Sequence, residues 1–152
     1  MTGTTLEERI ASARRAGTVA IGRAQRRAQS IVQAADAAAQ AAGAKPIGAS
    51  WQVISESSAR SIIRSLLASD LAYNARCMSD VDAGRFADEV LGLVEAPIEF
   101  LTNVGQDVWL GIADGRKLKV HTFDPLTDAT LSAGVALVGR EEAAVLVVSD
   151  ED

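Results

Sequence analysis

Histidine and cysteine occur once each in this 152-residue chain, as His121 and Cys77. A lone cysteine excludes an intrachain disulfide, and one histidine with one cysteine cannot supply the ligand set of a zinc site. Aromatic residues are also scarce, with two Trp, one Tyr and three Phe. The core must therefore be built from Val, Ile, Leu and Ala, and few rings remain on which single-stranded nucleic acid could stack. No stretch approaches the roughly 18 apolar residues of a membrane span. The opening residues carry Glu7 and Glu8 rather than an apolar run, unlike a signal peptide. The expectation is a cytoplasmic or virion protein, not one exported by a signal peptide.

Catalytic signatures are missing too. "GTVAIGR" (17–23) and "GVALVGR" (134–140) lack the Lys-Ser/Thr that a phosphate loop uses to hold phosphate and magnesium. "DVDAG" from Asp80 begins like a calcium loop, but its twelfth position is Leu91 instead of a bidentate acid. No G-x-S-x-G occurs, and no motif sets a nucleophile beside His121. His121 reads as a half-exposed sheet residue and Cys77 as a small packing side chain. Trp51, Trp109 and Tyr73 read as packing residues. No catalytic residue, cofactor or metal is expected.

What the chain does have is uneven charge. Residues 1–45 hold seven bases and three acids, a net +4, whereas the rest hold eight bases and seventeen acids, a net −9. The basic end includes "ERIASARRAGTVAIGRAQRRAQSIVQAADAAAQAAG" (8–43), which reads as helix. Thr4 or Thr5 followed by Glu7 and Glu8 resembles a capping box. Leu6, Ile10, Ala13, Gly17, Ile21, Ala24, Ala28, Val32, Ala35 and Ala39 fall on one face at steps of three and four, a rhythm of about 3.67 residues per turn. Arg9, Arg15, Arg23, Arg26 and Arg27 lie away from that face, and Arg14 lies near its edge. One helix over 4–42 would span roughly 58 Å, longer than a compact domain of this size, about 35–40 Å across. It must break, with Gly17 and Gly22 as candidate points, or project. Gly43 and Lys45-Pro46 form its stop signal.

Residues 44–50 read as a linker, and "SWQVIS" as a short strand with Trp51 and Val53 on one face. Apolar spacing predicts helices at about 56–75, capped by Ser55, and 80–95, capped by Ser79 with Asp82. Pro97 ends the second or begins a helical turn through Phe100. From about 107 to 149 the period becomes that of strands. "DVWLGIADGRKLKVHTF" reads as a hairpin with a three-residue loop Ala113-Asp114-Gly115, which sets Leu110 against Leu118 and Val108 against Val120. "TLSAGVALVG" suits strand or helix and is assigned to strand. "AAVLVVS" is a buried strand. The fold class expected is α+β: a long Ala-rich N-terminal helix, two further helices and a small C-terminal antiparallel β-meander. The domain division expected is a basic amphipathic helical arm, 1–45, on a compact α+β body, 46–152.

A thin alanine stripe buries little area per residue but permits close helix approach. It lacks the bulky side chains that insert into a lipid surface, so protein is the expected partner. The function expected is that of a non-enzymatic structural or assembly subunit. A homo-oligomer or a larger complex such as a phage virion is its setting. The expected interface is Leu6, Ile10, Ala13, Gly17, Ile21, Ala24, Ala28, Val32 and Ala35, with Arg9, Arg15, Arg23, Arg26 and Arg27 meeting acidic groups. The alternatives are a nucleic-acid-associated regulator using the arginine face, and a small enzyme or immunity-type inhibitor.

Overall fold

The computed structural model describes residues 5–70, 75–104, 126–127 and 131–150. The chain opens with a short helix, not a long one. α1 spans Leu6–Ala13, and the Thr5 hydroxyl accepts the Glu8 amide at its N-terminus. Gly17, at φ +62°, turns the chain into strand β1, Thr18–Gln25. Helix α2, Ile31–Ala41, follows, closed by a reciprocal Ser30–Gln33 capping box. The expected helix over 4–42 is thus helix, strand, helix. "TVAIGRAQ" carries β-branched residues and a glycine that weakens a helix. Its alternation also fits a period of two, so pairing with a distant strand decides the outcome.

A 3₁₀ turn, Gly48–Ser50, leads to β2, Gln52–Ile54. Helices α3, Glu56–Ala68, and α4, Asp80–Leu91, start under the Ser55 and Ser79 hydroxyls as expected, but both end earlier than their apolar spacing suggests. The expected helical turn through Phe100 is instead strand β3, Glu99–Thr102. β4, Leu131–Val138, and β5, Glu142–Asp150, complete the sheet, so "TLSAGVALVG" is strand. The expected hairpin around Ala113–Gly115, with Trp109 and His121, lies outside the described residues, as does Tyr73.

The five strands among the described residues form one antiparallel sheet in the order β1-β5-β4-β3-β2. The architecture is α+β, with four α-helices among the described residues over both faces of the sheet. On one face α1, α3 and α4 bury Ile10, Ile62, Ile63, Leu66, Phe86 and Val90 against Val135, Leu137, Leu146 and Val148. On the other, α2 lays Ala34, Ala35, Ala38 and Ala39, beside Trp51, on Leu101, Val138, Val145 and Val147. Burial on both faces explains why β5 is a continuous apolar run without alternation. Alanines suit α2 because it lies very close to β1: a Cβ at Gly22 would overlap the Ala38 carbonyl oxygen and stand 2.5 Å from the Ala42 amide.

These contacts correct the arm-and-body division. β1 pairs with β5 over eight residues, Thr18↔Ser149 to Gln25↔Glu142. Both α1 and α2 belong to the core, so residues of the expected arm and body share one sheet.

Candidate functional site

The expected interface stripe does not survive as a single face. Leu6, Ile10, Ala13 and Ile21 pack in the cluster on one side of the sheet, whereas Ala24, Val32 and Ala35 pack on the opposite side. Gly17 sits in a turn against Asp150, and Ala28 is exposed in the β1–α2 loop at φ +56°. An eleven-residue rhythm holds a face only while the backbone stays helical, and β1 interrupts it.

The arginines meet acids, but largely within the chain. Arg9 of α1 grips Glu89 of α4 with two hydrogen bonds of 2.9 and 3.2 Å. Arg23 donates at 2.9 Å to both Glu142 and the Leu93 carbonyl. Arg26 donates at 2.9 Å to the carbonyls of Gln29 and Gly139 and so ties the β1–α2 loop to the β4–β5 turn. Arg14, which the sequence placed only near the stripe's edge, is buried and paired with Asp150. Much of the positive surplus of the N-terminal segment is therefore neutralised by the acidic remainder of the same molecule. Arg15 and Arg27 remain at the surface, with no side-chain hydrogen bond or ion pair among the described residues.

Two features converge at the corner where β1 ends. The first is a sheet edge. The Ile21 amide points away from β5 and is capped by the Glu7 carboxylate at 2.8 Å, whereas the Arg26 amide points inward to the Glu141 carbonyl at 2.8 Å. Because strand amides alternate in direction, the backbone groups of Val19, Ile21, Arg23 and Gln25 face outward. Val19 is buried and Glu7 blocks Ile21, which among the described residues leaves Arg23 and Gln25 as the open end of the edge. The second is a cleft of about 650 Å³, lined by Arg26, Arg27, Glu95, Pro97, Arg140 and Glu141 among others. Arg27, Glu95, Arg140 and Glu141 are all exposed and make no ion pair among the described residues. Arg27 was legible as a contact residue, but Arg140, Glu95 and Glu141 were not. Arg140 and Glu141 come to the cleft on the β4–β5 turn and Glu95 on the loop after α4, a placement that no local pattern reveals.

Elsewhere, Asp36 anchors the linker, accepting the Ile47 and Gly48 amides and the Trp51 indole N–H, the last at 2.8 Å. Burial pushes the Cys77 thiol pKa up, and hydrogen bonding to Arg76 holds the Asp80 carboxyl below the usual range. Among the described residues no cluster of three or more His, Cys, Asp or Glu could hold a metal, and no helix is long and apolar enough to cross a membrane. No family model, curated protein or solved structure matches the chain.

Proposed function

We propose that the protein is a non-enzymatic assembly subunit that associates with a second copy, or with a neighbouring subunit, by strand addition at the open end of β1. The observation that carries this reading is the outward-facing backbone of Arg23 and Gln25, which has no partner among the described residues, at the edge of the sheet. Unpaired strand edges are templates for another chain, and natural folds that do not use them keep them short, covered or charged. Here Glu7 covers the middle of the edge but not its end. Among the described residues the opposite edge is the three-residue β2, a much poorer template. The expected setting of such a subunit, a phage virion or a comparable complex, remains part of the proposal.

Light scattering after size-exclusion chromatography tests it. Gln25→Pro removes an outward amide without removing a β1–β5 ladder bond. An oligomer that Gln25→Pro converts to monomer, while Gln25→Ala does not, supports the reading. A full chain that stays monomeric at the highest concentration reached and pairs with no co-expressed neighbour overturns it. Salt-sensitive binding to duplex DNA would then favour the regulator, and turnover of a substrate the enzyme.

A further inference from the structure

We propose that the partner at the open end of β1 is a second copy of this chain, paired antiparallel about a two-fold axis at Ala24, with Arg23 of each copy opposite Gln25 of the other. The assignment rests on strand addition at β1 and names its partner and its register.

The edge can match itself. Antiparallel strands related by a two-fold axis offer the same groups to each other, so one edge serves both copies. The outward groups at the open end are the amides and carbonyls of Arg23 and Gln25. A ladder forms only when outward residues face outward residues, and this leaves few registers. Arg23 against Arg23 brings like charges together across the axis. It also sets Gln25 against Ile21, whose amide Glu7 already holds at 2.8 Å. Gln25 against Gln25 pairs a single open residue of each copy and places Arg23 opposite Arg27, again like against like. Arg23 against Gln25 uses both open residues of both copies and opposes no like charges.

Side chains agree with this register. Ala24 faces Ala24 of the second copy at a position without mutual hydrogen bonds, where Cα atoms stand about 4.5 Å apart. Ala24 is partly buried against the α2-side cluster, so the two methyl groups meet beside an apolar surface. Two residues outward, Ile21 comes level with Arg27 of the second copy. The Arg26 amide still bonds inward to the Glu141 carbonyl at 2.8 Å, so the strand direction holds as far as Arg27. Glu7 holds the Ile21 amide through Oε2, and its Oε1 has no hydrogen bond among the described residues. Arg27 is exposed and has no ion pair among them. The two-fold axis thus brings the Glu7 of each copy to the Arg27 of the other. This charge complementarity favours a second copy over an unrelated strand.

The test measures dimer dissociation of the full chain by sedimentation equilibrium. Glu7→Arg and Arg27→Glu should each weaken the dimer about tenfold or more, because each sets like charges together at both contacts. An equimolar mixture of the two variants should recover the dimer, because the mixed pair opposes unlike charges at both. A second measurement does not depend on Glu7 or Arg27. In a Cys77→Ala background, Ala24→Cys should close a disulfide between copies on mild oxidation, whereas Val53→Cys, on the opposite edge, should not. A dimer that Gln25→Pro dissociates, but in which Ala24→Cys forms no disulfide and the mixture recovers nothing, overturns the register and leaves strand addition standing. A parent chain that is monomeric alone but pairs at β1 with a different subunit overturns the second copy as partner. A parent chain that pairs with nothing overturns strand addition as well.

Discussion

Arg14 and Asp150 form a buried two-bond ion pair, with Nη1–Oδ1 at 2.9 Å and Nη2–Oδ2 at 2.7 Å, and Arg14 is 1% exposed. The guanidinium's other donors go to the carbonyls of Leu66, Ala16 and Ser69. All five N–H groups are thereby placed, which is the condition under which a buried charge is tolerated. The pair joins the end of α1 to the end of β5 and to the end of α3. Arg14→Ala should destabilise by about 3–5 kcal/mol, because it leaves the Asp150 carboxylate without its cation. The Arg14→Met, Asp150→Leu double variant should lose less than the sum of its two single changes. Denaturant unfolding checks both, and additive losses would show that the pair is not coupled.

A chain of residues 50–152 should fail to fold cooperatively. Removing the first 49 residues strips β1 from β5 and α2 from Val145 and Val147, and leaves Asp150 without Arg14. Circular dichroism during urea unfolding should show a broad transition or an aggregated product. A sharp two-state transition would restore the division into arm and body.

The alanines of α2 should matter for folding rather than for association. Ala38 is fully buried on the inner face of α2, against β1. Ala38→Glu would bury an unpaired carboxylate and should cost about 3 kcal/mol or more. Gln40→Glu, on the exposed side of the same helix, should stay within about 0.5 kcal/mol of the parent. If Ala38→Glu altered the oligomeric state while leaving the unfolding midpoint unchanged, the helix would be an intermolecular seam.

Ala28 occupies the left-handed region at φ +56° and is exposed. Ala28→Gly should raise stability by about 1 kcal/mol, because glycine carries no Cβ penalty there. A thermal melt that falls instead would mean that the greater freedom of glycine in the unfolded chain outweighs the relieved strain.

Cys77 should react slowly with iodoacetamide at neutral pH in the folded protein and faster once unfolded. Burial disfavours its thiolate, an effect that Arg14 opposes and that Asp150 and Asp70 reinforce. A raised folded pKa means that the thiol form favours the fold. The associated stability is present below the ordinary thiol pKa and is lost as pH rises through the folded one. The difference in alkylation rate between folded and unfolded chains should accordingly narrow at alkaline pH. Equal rates at pH 7 would count against the shift.

Local chemistry was written in the sequence wherever a few neighbouring residues suffice. Thr5, Ser55 and Ser79 announce their helices because a hydroxyl reaches an amide three residues on. Ala143–Val148 announces a strand because no other element so short is apolar throughout. The helix ends were less legible, since Leu93 and Val94 keep the apolar spacing while Gly92 already closes α4. Tertiary structure alone decided that Thr18–Gln25 is a strand, because its eight partners lie more than a hundred residues away in β5. It also decided that Arg14 belongs to the core, because its acceptors come from four distant or non-adjacent positions. The β1–β5 register was illegible for the same reason: it is set by cross-strand hydrogen bonds and by burial of both sheet faces, neither of which any local stretch of the chain encodes.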